Sequence, residues 1–121
     1  MKLIKTVGVV GAGTMGAALA QKFAQENFNV ILADREIQFV ERGMNHIINM
    51  LQQGVEKKVF SSQQMNQTVN NIKRTTDLHD LISCDLIVEA IFEDFNAKAN
   101  LFKELSNVVD EKTILATNTS S

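Results

Sequence analysis

An α/β architecture, a doubly wound and mostly parallel sheet with flanking helices, is predicted by three observations. Strand-like and helix-like patterns alternate from one end of the chain to the other, the mark of a parallel sheet covered by its crossover helices. A glycine-rich run, Gly11-x-Gly13-x-x-Gly16, lies directly between an apolar run and a helical pattern. An acidic residue, Asp34, ends the second apolar run 18 positions after Gly16.

Each element follows in turn. Thr6–Val10 reads as a buried strand rich in β-branched residues. Thr14–Glu26 reads as a helix with Met15, Ala18, Leu19 and Phe23 on its inner face, its alanines suited to close packing on a sheet. Val30–Ala33 is the second strand. From Glu36 to about Val59, apolar residues recur at helical spacing (Ile37, Val40, Met44, Ile47, Ile48, Leu51, Val55), a run well beyond the typical helix of about 11–12 residues. Ser61 with Gln64 three positions on forms a helix start signal, and Met65, Val69 and Ile72 continue a short helix. Lys73–Thr76 is a third strand, Asp77–Asp80 a capped turn, and Leu86–Ala90 a clearer buried strand. Asn96–Val109 is an amphipathic helix with Phe95, Ala99, Phe102, Leu105 and Val109 inward, and Thr113–Thr117 is the last strand. The chain stops just past that strand, where ligands of open α/β sheets bind. Residues 1–121 are therefore expected to be one incomplete domain, truncated after about the fifth strand and forming the front part of a larger protein.

The glycine run between strand and helix, with Asp34 downstream, describes a Rossmann-type pocket for the pyrophosphate and adenosine ribose of a dinucleotide. Gly11 permits the tight turn, Gly13 lets the backbone approach phosphate, and Gly16 brings the helix close to the sheet. Backbone amides around Thr14 and Met15 then face the anion from a helix N-terminus. Asp34 accepts from the ribose hydroxyls and repels a 2′-phosphate, which favours NAD over NADP; Arg35 beside it works against that preference. Two plainer readings compete. Met1–Lys5 followed by a 15-residue apolar stretch has the outline of a secretory signal, but its four glycines make a poor apolar helix. A glycine turn that binds nothing is the other.

Composition narrows the function classes. A net charge of −2 and a pI of about 5.6 give no reason to expect nucleic acid or an anionic membrane as partner. No segment is apolar for long enough to span a bilayer. The single cysteine, Cys84, forbids an internal disulfide and is expected to pack as a small hydrophobe. A reducing, cytoplasmic compartment is the expectation.

Four motifs together carry a resemblance: Gly11-Ala12-Gly13-Thr14-Met15-Gly16, the pair Asp34-Arg35, Val88-Glu89-Ala90-Ile91-Phe92-Glu93 with Lys98, and Asn118-Thr119-Ser120-Ser121. In this order they resemble the NAD-binding domain of the 3-hydroxyacyl-CoA dehydrogenases, most closely the short-chain bacterial type, over essentially the whole chain. The long helix after the second strand is similar too, because that family extends a helix pair there towards the CoA moiety. The resemblance implies NAD as cofactor, with Gly11, Ala12, Gly13, Thr14, Met15, Gly16, Asp34 and Arg35 at its adenosine diphosphate half. It implies Ala90 and Glu93 on the nicotinamide-ribose side, Lys98 reaching cofactor and CoA phosphates, and Asn118 beside the cofactor. It also implies Lys57 as a second CoA contact, with Lys58 leaving the register open; where some relatives place a serine for CoA, this chain has Met50. Ser120 matches the family's active-site serine, which hydrogen-bonds the substrate's 3-oxygen and helps hold the nicotinamide. Glu89 is ambiguous, a strand-end carboxylate that also reads as a satisfied structural acid.

One departure matters most. The family's proton-transferring histidine and its glutamate partner have no counterpart here; His46, mid-helix, and His79, in a capped turn, do not replace them. The helical domain that covers substrate and forms the family's dimer is also missing. The parent protein is expected to be a homodimeric dehydrogenase acting on acyl-CoA, and this chain alone is expected to be inactive. Two alternatives stand beside it: a domain of the 6-phosphogluconate and β-hydroxyacid dehydrogenase type, or a non-enzymatic NAD-binding module.

Overall fold

The computed structural model describes residues 3–91, 95–109 and 112–117. Among these residues five strands and four helices follow one another as β1 Thr6–Val10, α1 Thr14–Gln25, β2 Asn29–Ala33, α2 Ile37–Glu56, α3 Ser62–Asn70, β3 Ile72–Thr75, β4 Leu86–Glu89, α4 Phe95–Val108 and β5 Ile114–Thr117. A 3-10 turn, Leu78–Leu81, precedes β4. The sheet order is β3-β2-β1-β4-β5 and all four pairings are parallel. The chain moves outward from β1 to β3 and then crosses back to lay β4 on the other side of β1. That reversal opens a crevice at the carboxyl ends of β1 and β4, where ligands of such sheets bind.

Strands covered on both faces need near-continuous apolar sequence. β1 supplies it: Val7, Val9 and Val10 are buried. Val7, Val9, Val30, Leu32, Ile72 and Val88 pack with α1 and α2 residues on one face of the sheet. Val10, Ile31, Ala33 and Ile87 pack with Leu81, Cys84 and Leu105 on the other. Gly8 belongs to this second face, where a side chain would come within 3.0 Å of Cys84 Sγ and Leu81.

Helix α1 is turned relative to its sequence-based reading. Its buried face is Gly16, Ala17, Ala20 and Ala24, whereas Met15 and Ala18 are exposed and Leu19 and Phe23 only flank the core. The small residues face the sheet because α1 lies close to it. Phe23 meets Phe28 edge-on at 5.7 Å between ring centroids. Ile72 belongs to β3, not to the preceding helix, which Asn71 closes. The start of α3 follows its sequence signal: Ser61 Oγ accepts from the Gln64 amide (3.0 Å) and Gln64 Oε1 accepts from the Ser61 amide (2.8 Å). In α4, Ala99 is exposed and Leu101 packs inward instead.

Helix α2 has 20 residues, about 30 Å at 1.5 Å per residue, and overshoots a five-residue strand. Val40, Met44, Ile47 and Leu51 are buried along it, and Gly54 admits the Phe60 ring as the chain turns into α3. No helix among the described residues is long and apolar enough to cross a membrane.

Candidate functional site

Parallel register brings Thr75, Ala33, Val10, Glu89 and Thr117 level across the carboxyl edge of the sheet. The residues immediately after them, Gly11, Asp34 and Ala90, therefore rise together at the mouth of the crevice. Gly11 has φ +109°, a backbone conformation that side chains rarely adopt. Its amide donates to Ala33 O at 2.8 Å, and a Cβ there would lie 2.8 Å from the Ala90 carbonyl. The β4 loop is thus seated directly against the glycine turn, with the Ala90 amide donating to Val10 O at 2.8 Å.

The three motif glycines serve different ends. At Gly16 a Cβ would fall 1.6 Å from the Gly11 carbonyl oxygen, so this glycine closes the turn onto the helix. At Gly13 a Cβ would meet nothing within 4 Å. Nothing in the protein requires a glycine at Gly13, whose φ of −72° suits any residue; the space in front of it is what the missing side chain keeps clear. Gly13 is also the N-cap of α1 and offers no side-chain hydrogen bond, and the first turn holds no acidic residue. The Ala17 amide makes the first intrahelical bond, to Gly13 O at 2.8 Å. Amides of Thr14, Met15 and Gly16 precede it and have no intrahelical acceptor, as at any helix start. Together with the helix dipole they suit an anion.

Asp34 is held beside this turn. Its Oδ2 accepts from the Ala12 amide (2.8 Å) and its Oδ1 from the Arg35 amide (2.7 Å). A carboxylate offers about four acceptor positions, so two remain for a vicinal diol. The Ala12 amide is thereby committed to Asp34, and its carbonyl faces Gly43 of α2, where a Cβ would come within 2.7 Å. Gly43 was not singled out from sequence, although a glycine in mid-helix, costing about 1 kcal/mol in propensity, is a signal of close approach. Arg35 is exposed and lies over the Phe39 ring, 5.8 Å from its centroid, with Arg42 at 5.7 Å.

Glu89, left ambiguous by sequence, is fully buried and satisfied: Ile91 N–H donates to Oε2 (2.7 Å), Thr117 Oγ1 to Oε1 (2.6 Å), and Lys98 Nζ lies 3.6 Å from Oε1. Lys98 is in the first turn of α4 with a side chain only 15% exposed, so it is no solvated surface lysine. Lys57 caps the far end of α2 and is exposed. It lies 14 residues, about 21 Å of helix, beyond Gly43, so the fold does not gather it with the glycine turn. Glu93, Asn118 and Ser120 fall outside the described residues. His46 is exposed on α2, and exposed His79 pairs with Asp77 (3.0 Å). Cys84 is buried, and burial, aided by the Asp85 charge, pushes its thiol up to about 11.

A doubly wound sheet with an anion-ready helix start and an acidic acceptor at its switch point defines a dinucleotide-binding domain. Comparison with known proteins narrows the class. The family described as 3-hydroxyacyl-CoA dehydrogenase, NAD binding domain, matches residues 6–121, and the chain belongs to it. NAD is the cofactor of this family. A probable 3-hydroxybutyryl-CoA dehydrogenase of Deinococcus radiodurans is 42% identical over 114 residues, 94% of this chain and 41% of that protein. The peroxisomal bifunctional enzyme of Danio rerio is 34% identical over 97% of this chain and 16% of its own length. Among solved structures, (S)-3-hydroxybutyryl-CoA dehydrogenase from Ralstonia eutropha superposes with a TM-score of 0.96 at 34% identity, over 98% of this chain and 42% of that one. The chain thus spans about two fifths of the Deinococcus radiodurans and Ralstonia eutropha relatives.

Proposed function

We propose that this domain holds NAD for the oxidation of a 3-hydroxyacyl-CoA to the 3-oxoacyl-CoA. The observation that carries the reading is the joint placement of an open Gly13, the unpaired first-turn amides of α1 and the amide-held Asp34 carboxylate at one sheet edge. On this reading residues 11–16 receive the pyrophosphate, and Asp34 accepts from the adenosine ribose. Arg35 flanks the adenosine. Ala90 and Glu93 line the nicotinamide-ribose side, with Asn118 beside the cofactor. NAD, when bound, supplies the hydride acceptor at the substrate's carbon 3. Ser120 then hydrogen-bonds the 3-oxygen, while Lys98, and Lys57 at the end of α2, meet CoA phosphates.

The hydroxyl proton needs a base. His46 is exposed on α2 and exposed His79 pairs with Asp77; on this reading residues 1–121 form the cofactor domain, and the histidine–glutamate pair and the helical dimerisation domain belong outside it. The relatives named as CoA-ester dehydrogenases support an acyl-CoA substrate, and we read the parent as a homodimer of the cytoplasm. Assay of the 121-residue chain with NADH and acetoacetyl-CoA tests the division of labour: NADH binding without turnover is expected, and turnover by the chain alone contradicts it. In a protein that carries this domain with its substrate domain, acetoacetyl-CoA should be reduced far faster than free 3-oxo acids; the reverse preference sinks the proposed substrate class.

A further inference from the structure

Phe39 and Arg42 have no part in the roles assigned so far, yet both stand beside the nucleotide turn. They lie three positions apart on α2 and share a face of it. Arg35 joins them from the end of β2. The residue after Arg42 is Gly43, whose added Cβ would come within 2.7 Å of the Ala12 carbonyl, and the Ala12 amide is the one that Asp34 holds. A contiguous path therefore runs from Arg35 through Asp34, Ala12 and Gly43 to Arg42. It encloses the carboxylate assigned to the adenosine ribose.

The half-buried ring of Phe39 gathers the two exposed arginines. Arg35 Cζ lies 5.8 Å and Arg42 Cζ 5.7 Å from its centroid, within the roughly 6 Å at which the electron-rich face of the ring attracts a cation. Two guanidinium groups on one ring repel each other, and Arg35 also precedes a helix start, where the dipole disfavours a cation. Among the described residues neither has a carboxylate at salt-bridge distance, whereas Arg74 of β3 is held by both oxygens of Glu41 (2.9 and 2.7 Å). Glu36, the N-cap of α2, accepts from Gln38 Nε2 at 3.2 Å. An anion between the two arginines would relieve their repulsion.

We propose that Arg35 and Arg42, set by Phe39, form a cradle for a phosphate on the 2′-oxygen of the adenosine ribose, and that Asp34 alone keeps NADP out of it. This rests on the NAD reading above and deepens it: selectivity is a balance between one carboxylate and two guanidinium groups. Arg42 and Phe39 are then specificity-determining residues. The planar N–H fork of arginine matches two phosphate oxygens. An unphosphorylated ribose gives the Arg42 fork nothing to hold, so NAD should not need it.

The test is calorimetric titration of the 121-residue chain with NAD and NADP in parallel. Asp34→Ala should bring NADP level with NAD or beyond it. Adding Arg42→Ala to that variant should lower NADP affinity about ten-fold, the scale of one charge-assisted contact, and leave NAD within about two-fold. Phe39→Leu in place of Arg42→Ala keeps an apolar side chain but removes the ring, and should lower NADP affinity about two- to five-fold. Equal losses for the two dinucleotides place Arg42 at a part they share and overturn the proposal, as does an Asp34→Ala chain that still rejects NADP. Should Asp34→Ala not fold, the phosphorus-31 resonance of the NADP 2′-phosphate decides. It should shift on addition of the wild-type chain and shift less with Arg42→Ala; an equal response overturns the proposal. A wild-type chain that takes up no NAD removes the cofactor reading and this inference with it, whereas one that binds NAD and fails the arginine test removes this inference alone.

Discussion

Asp34 Oδ2 accepts a hydrogen bond from the amide of Ala12 at 2.8 Å, across 22 residues of sequence. The bond joins the two parts of the nucleotide site, the glycine turn and the acidic strand end, before any ligand arrives. Asp34→Ala removes both the ribose acceptor and the tether on the turn. It should weaken NAD binding by about 10–150-fold, as for a lost charged hydrogen bond, and narrow the preference for NAD over NADP. Parallel titrations with the two dinucleotides check this; unchanged NAD affinity contradicts it.

Gly13 and Gly16 should part company on substitution. Gly13→Ala meets no protein atom, so stability should change by less than about 1 kcal/mol, the scale of an N-cap exchange, while NAD binding falls sharply. Gly16→Ala drives a methyl into the Gly11 carbonyl and should cost about 3 kcal/mol or more. Denaturant unfolding beside NAD titration separates them. Equal stability of the two variants contradicts the assignment.

Gly43→Ala sets propensity against packing. Propensity alone offers about 1 kcal/mol of stabilisation, but the new Cβ lies 2.7 Å from Ala12 O and 3.1 Å from Ala12 Cβ. A net loss of about 1–3 kcal/mol and weaker NAD binding are expected, since Ala12 is the residue Asp34 holds. A gain in stability with unchanged affinity would show that α2 does not brace the turn.

Cys84 should be inert in the folded chain. Its thiol, pushed up to about 11 and buried against Gly8, stays protonated at neutral pH, and only the thiolate reacts. Thiol reagents at pH 8 should label it slowly when folded and at once in denaturant. The sign for stability follows from the raised value. Between about pH 9 and 11 the unfolded chain releases this proton and the folded chain keeps it, so this group's contribution falls as pH rises. Rapid labelling of the native chain contradicts the buried placement.

The sheet, its element order and the nucleotide turn were legible because they rest on local pattern: apolar strands, glycine spacing and an acid at a fixed distance. What failed depended on how elements meet. Periodicity puts Met15, Ala18, Leu19 and Phe23 on the inner face of α1; Leu19 and Phe23 do pack against the core, but Met15 and Ala18 are exposed and close contact with the sheet selects Ala17, Ala20 and Ala24. Periodicity places Ala99 inward where Leu101 packs instead, because the pattern alone leaves a helix free to rotate. Glu89 is ambiguous in sequence because its Thr117 partner is 28 residues away and meets it only across the β4–β5 pairing. Gly43 escaped for the same reason, its neighbour being Ala12.

Calorimetric titration of the folded 121-residue chain with NAD bears most directly on whether the amide-lined turn and Asp34 form a dinucleotide site. A saturable, single-site isotherm that Gly13→Ala abolishes and NADP reproduces only weakly is the expected result. A wild-type chain that is folded by circular dichroism and shows neither saturation nor heat with NAD would contradict it.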